Sequence, residues 1–106
     1  MDWTVSIESR SSRLLLSDDD REAVRRRLAF TLSRFSDRIE RIDVTLDVTF
    51  PLAGVDEFLC DLEGHINGCR GIRVITRGRT MEEAIARAAD RAAKAIDRAL
   101  REIRVL

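Results

Sequence analysis

Five cations stand out for their spacing. Arg87, Arg91, Lys94, Arg98 and Arg101 follow one another at intervals of four, three, four and three, which at about 100° per residue gathers them into one band on a helix. The chemistry open to such a band is electrostatic: it acts on a partner as a positive ribbon, or it is a solvated face that pairs with its own carboxylates. The solvated face is the commoner outcome by pattern alone, and partners for it are present. Glu83, Asp90 and Asp97 precede Arg87, Lys94 and Arg101 by four residues each, the favourable order for surface pairs worth about 0.2–0.5 kcal/mol.

Catalytic chemistry has less to work with. His65 has no nucleophile near it and reads as an exposed strand residue. Cys60 and Cys69, with only His65 between them, fall short of the four ligands a structural zinc site needs, and in a reducing compartment they read as thiols rather than a disulfide. Gly64, Gly68, Gly71 and Gly78 are too scattered for a phosphate-binding loop. The expectation is therefore a protein that is not an enzyme, with no catalytic residue, metal, cofactor or small-molecule substrate.

The band needs a helix to hold it. Thr80 followed by Glu83 fits a capping box and starts that helix at about Thr80. Met81, Ile85, Ala88, Ala92, Ala95, Ile96 and Ala99 form its apolar stripe, mostly alanine, so that its backbone can approach a partner surface closely. An earlier helix opens at Ser17 with Asp18, Asp19 and Asp20 against the positive end of its dipole and is expected to run to Phe35 or Ser36. Val24, Leu28, Thr31, Leu32 and Phe35 supply its buried stripe, Arg27, Arg34 and Arg38 line one flank, and Glu22 with Arg26 is an ordinary helix pair. Leu14 to Leu16 should tuck beneath it as a staple.

Strands account for the rest. Trp3, Val5 and Ile7 alternate with polar residues, and Ile42, Val44, Leu46, Val48 and Phe50 do so more clearly, until Pro51 to Val55 breaks the pattern. A third strand runs over about Glu57 to Ile66 with Phe58, Cys60, Leu62 and Ile66 inward. Asn67-Gly68 signals a hairpin, and the fourth strand follows over about Gly71 to Arg77. The order β-α-β-β-β-α predicts an α+β two-layer sandwich, a four-stranded sheet with two helices on one face, the first two strands parallel and the rest an antiparallel meander. On the wet face Asp47, Asp61 and Glu63 are expected to meet Arg73 and Arg77.

At 106 residues with 44% hydrophobic the chain suits one domain over 1–106. Lysine plus arginine equals aspartate plus glutamate at 19 each, but the charges are segregated: residues 39–69 carry a net −6 and residues 70–106 a net +5. Low aromatic content argues against an extensive base-stacking platform. No apolar run spans a membrane and the start lacks a signal peptide, so a cytoplasmic location is expected.

Two short motifs carry a likeness. Phe35-Ser36-Asp37-Arg38-Ile39, leading from the first helix into the second strand, and Gly78-x-x-Met81-x-x-Ala84-Ile85, opening the last helix, resemble the ribosome hibernation-promoting factor and ribosome-associated translation inhibitor family. With the element order, the match covers nearly the whole chain. The resemblance implies a fold similar to a double-stranded-RNA-binding domain and binding to the small ribosomal subunit in the mRNA/tRNA channel, blocking translation in idle ribosomes. It places the rRNA contacts at Arg27, Arg34 and Arg38 on the first helix and Arg87, Arg91, Lys94, Arg98 and Arg101 on the second. Phosphate neutralisation by such residues gives shape-directed binding without sequence readout. Glu82 and Ala86 depart from the family pattern, as does the neutral net charge, and the chain ends at Leu106 as a short form would. Neutrality also motivates a second expectation, an interaction module that keeps the fold and associates, with itself or a protein partner, through its acidic middle and basic end.

Overall fold

The computed structural model describes residues 3–49, 54 and 56–104, the side chains of 103 and 104 excepted. Along the chain it runs β1 (Thr4–Ser9), α1 (Asp18–Thr31), a 3-10 turn (Ser33–Phe35), β2 (Ile39–Thr49), β3 (Glu57–Ile66), β4 (Ile72–Gly78) and α2 (Met81–Arg104). Phe50 and the strand-breaking segment after it lie outside the described residues, Gly54 aside.

The strands form one sheet in the order β1-β2-β3-β4, with β1 parallel to β2 and the remaining pairs antiparallel, as the alternation and connection lengths require. Ile42, Val44, Leu46 and Val48 of β2 are buried, and between them Asp43, Thr45 and Asp47 turn to the open face. Opposite them Cys60, Leu62 and Ile66 of β3 continue the dry face. Burial pushes the Cys60 thiol up to about 12, so it stays protonated as a small apolar side chain. Both helices lie on this face, and their buried residues join the sheet's in one cluster. The result is a two-layer α+β sandwich with one side of its sheet left to solvent.

α1 opens on a complete capping box, in which Ser17 Oγ accepts from the Asp20 amide and the Asp20 carboxylate accepts from the Ser17 amide. It ends sooner than its apolar stripe suggests. The helix stops at Thr31 and a 3-10 turn carries the chain through Phe35, so Arg34 and Arg38 stand beyond α1 rather than on its flank. The hydroxyls of Ser33 and Ser36 donate to the carbonyls of Phe30 and Ser33, at 3.3 and 2.8 Å, which draws the end of the helix into tighter local bonds. Leu14 and Leu16 pack against the core as a staple does, but Leu15 between them is 84% exposed.

α2 sits closer to its surroundings. Ala84, Ala88, Ala89 and Ala92 have no exposed surface, and the buried residues cover about half the circumference because the helix is wedged between the sheet and α1. Its start lies directly on β4, where a Cβ added at Gly78 would come within 2.6 Å of the Ala84 amide nitrogen. The buried Thr76 hydroxyl donates to the Ala84 carbonyl at 2.6 Å, tying strand to helix. Thr80 Oγ1 caps the Glu83 amide at 3.0 Å, while the Glu83 carboxylate is engaged by Arg87 instead of turning back to close the box.

Candidate nucleic-acid interface

The cationic band of α2 is present, but its members are not equivalent. Arg87 bonds the Arg77 carbonyl of β4 at 2.7 Å and the Glu83 carboxylate at 2.8 Å, so it is part of the helix's seat on the sheet. Arg101 pairs with Asp97 at 2.8 Å. Between them Arg91, Lys94 and Arg98 are exposed and have no partner among the described residues, and the expected Asp90–Lys94 pair does not form. These three are the free cations of the ribbon.

Sequence spacing leaves open which neighbour the ribbon leans towards. Arg98 lines a groove of about 270 Å³ with Ala95, Ala99 and Glu102 of α2 and with Arg70, Gly71 and Ile72 of the β3–β4 hairpin. At the other end Arg87 lines a cleft with Arg77 and Arg79, where Asp56, Glu57 and Glu83 balance the charge. The ribbon therefore runs along the β4 side. Arg70, also without a partner among the described residues, extends it onto the hairpin. Residue spacing holds no signal for that addition, because it depends on how α2 crosses the sheet.

α1 and α2 run side by side in the same direction: their starts share one cleft, lined by Asp20, Ala23, Val24 and Arg27 against Met81, Glu82, Ile85 and Ala86. The ends share another of about 250 Å³, where Arg34, Arg38 and Arg101 converge with Asp37 and Asp97. Acids of α2, Glu82 at one end and Asp97 at the other, thus stand between its ribbon and the arginines of the first helical region. Of the three expected there, Arg27 is on α1 beside Glu82, Arg34 stacks its guanidinium 4.6 Å from the Phe35 ring centre, and Arg38 reaches the Asn67 carbonyl at 3.4 Å. Among the described residues the two basic displays meet at the Arg34, Arg38 and Arg101 end. Glu22 pairs with Arg25 at 3.9 Å rather than with Arg26, which leaves Arg26 and Arg27 without a partner among the described residues.

The open face of the sheet behaves differently. Asp61 on β3 is 11% exposed at its side chain and receives a two-pronged fork from Arg73, Nε to Oδ1 at 3.0 Å and Nη2 to Oδ2 at 2.7 Å, plus Arg10 at 3.1 Å. The Arg73 fork holds its carboxyl below the usual aspartate range. Arg73 also approaches Glu63, Arg77 pairs with Glu57, and Asp43 gathers Arg41 and His65. Asp47 meets neither arginine expected for it. Its register partner on β3 is Leu59, and it accepts instead from the Ser11 hydroxyl at 2.9 Å, which lowers its pKa.

Two solved structures share this arrangement. The N-terminal domain of Thermus thermophilus Protein Y superposes with a TM-score of 0.69 at 23% identity, over 88% of this chain and 93% of that one. A ribosomal subunit interface protein from Coxiella burnetii gives 0.71 at 12% identity, over 90% and 94%. At such identities the likeness establishes the fold: two helices on a four-stranded mixed sheet. None of the curated proteins compared with the chain is similar. Residues 7–104, however, match the family model described as Sigma 54 modulation protein / S30EA ribosomal protein, and the chain belongs to that family.

Proposed function

We propose that this protein is a non-enzymatic ribosome-associated factor of the cytoplasm, acting as one unit, that binds small-subunit rRNA in the mRNA/tRNA channel and keeps idle ribosomes from translating. The observation that carries the reading is the free trio Arg91, Lys94 and Arg98 on a helix of a chain in this family. Side chains three and four apart on a helix stand about 5–6 Å from one another at Cβ, so the trio offers a rigid, closely spaced row of charges. Such a row neutralises consecutive phosphates and releases their counterions without reading bases. Arg70 lengthens it, Arg34, Arg38 and Arg101 supply a second approach at the far end of the helix pair, and Arg27 adds charge from α1 beside Glu82. Arg87 contributes least, being bound to the Arg77 carbonyl and to Glu83.

The alternative, association through an acidic middle, has less free charge to draw on, although Glu40 is exposed without a partner among the described residues. Glu57, Asp61, Glu63 and Asp43 are met by Arg77, Arg73, Arg10 and Arg41 of the same sheet face. Co-sedimentation with purified ribosomes, with initiator transfer RNA as competitor, tests the proposal. Salt-sensitive pelleting that the transfer RNA displaces is expected; absence of pelleting at low salt would refute it.

A further inference from the structure

Phe30 is the least buried aromatic side chain among the described residues, 80% exposed on α1. At about 100° per residue it lies nearly opposite Val24 and Leu28, the buried line of the helix, with Arg26 about 40° to one side and Arg27 about 60° to the other. Both arginines lack partners among the described residues. Arg34 follows at the end of the helix, its guanidinium already stacked on a neighbouring ring. The ring lies outside the buried core cluster, and Val24, Leu28 and Leu32 already seat the helix. Its surroundings favour one kind of occupant. A protein surface would meet two desolvated arginines beside the ring, whereas an unpaired RNA base offers a π-face for the ring and a flanking phosphate for each guanidinium.

We infer that Phe30 is a stacking anchor for an unpaired base of the bound RNA, with Arg26 and Arg27 gripping the phosphates on either side. This rests on the proposed RNA-binding reading and adds to it a contact that recognises a base rather than backbone charge. It also gives α1 a contact beyond charge, where Arg27 shares its cleft with Asp20 and Glu82. A single anchor suits the low aromatic content, where a platform of several rings does not.

Equilibrium binding to purified small ribosomal subunits separates the possibilities, with wild type, Phe30→Ala, Phe30→Leu and Phe30→Tyr compared, and the oligomeric state of each followed by analytical ultracentrifugation. The exposed site makes all three variants foldable. Stacking predicts about tenfold weaker binding for both Phe30→Ala and Phe30→Leu and near-parental binding for Phe30→Tyr, since each stacked base contributes at this scale. Parental binding by Phe30→Ala overturns the inference and leaves the RNA-binding reading intact. Weak binding by Phe30→Ala with full recovery by Phe30→Leu overturns it in favour of a plain apolar contact with protein. A wild-type dimer that Phe30→Ala dissociates overturns it in favour of self-association, and a wild type that binds no subunits overturns both readings.

Discussion

The two faces of this molecule use the same residue types to opposite ends. On the open sheet, arginines and carboxylates meet and cancel: Arg73 with Asp61 and Arg77 with Glu57 across β3 and β4, Arg41 with Asp43 along β2, and Arg10 reaching Asp61 from just beyond β1. On the helical face Arg26, Arg27, Arg91, Lys94 and Arg98 stand without partners among the described residues. A strand pair places side chains of neighbouring strands opposite one another, within reach of any complementary charge. On a helix the nearest carboxylates are those three or four residues away, and the pairs that form there are Arg25 with Glu22, Arg87 with Glu83 and Arg101 with Asp97 among the described residues. A chain with no net charge can therefore group unpaired cations in one band while acids that balance them in the total, such as Asp18 and Asp19 at the start of α1, stand elsewhere. Composition alone conceals this.

Reversing the helical charge should have the largest effect. Arg91→Glu with Arg98→Glu is expected to weaken ribosome binding about 100-fold at moderate salt and to reduce the salt slope by about one for each cation removed, while circular dichroism and melting stay parental. Loss of folding in the double variant would show that these two are structural.

The seat of the helical face comes next. Gly78→Ala puts a methyl against the Ala84 backbone and should cost about 1–3 kcal/mol in urea unfolding. An unchanged midpoint would mean that α2 can lift from β4 without loss.

On the sheet face, Asp61→Asn is expected to cost about 1–2 kcal/mol at neutral pH, since a charge-assisted fork is lost from a nearly buried acceptor whose donors are half exposed. The folded pKa is lowered by Arg73, so this stability is complete above the pKa of a free aspartate, about 3.9, and disappears as the pH falls through the lower folded value. Stability measured from pH 7 to pH 2 should show the gap between wild type and variant closing in acid. A gap independent of pH would mean that the carboxylate charge contributes nothing. Smallest is Thr80→Ala, about 1 kcal/mol by thermal melting for a lost N-cap.

The order of elements, the sheet's polarity and both helix starts were legible because each rests on local spacing: alternation in β2, alanine spacing in α2, Ser17 with Asp20. The early end of α1 was not, since Ser33 and Ser36 fit the helical period and only their bonds to nearby carbonyls show the tighter turn. Which arginines are free was also hidden. Arg87 has the same spacing as Arg91 but lands beside the Arg77 carbonyl, a matter of how α2 crosses β4. Phe30 does not belong with these, since the stripe of Val24, Leu28 and Leu32 already leaves it on the other side of the helix.

One comparison bears most directly on the central claim that unpaired helix cations, rather than total charge, hold the ribosome. Arg91→Glu with Arg98→Glu and Arg41→Glu with Arg77→Glu change net charge equally, the first on the helical face and the second on the sheet. In co-sedimentation with purified ribosomes over a salt series, the helical pair should lose binding and the sheet pair should bind within about threefold of wild type, a difference below ~1 kcal/mol. Equal losses from the two variants would contradict the account, because binding would then follow net charge and not the face that carries it.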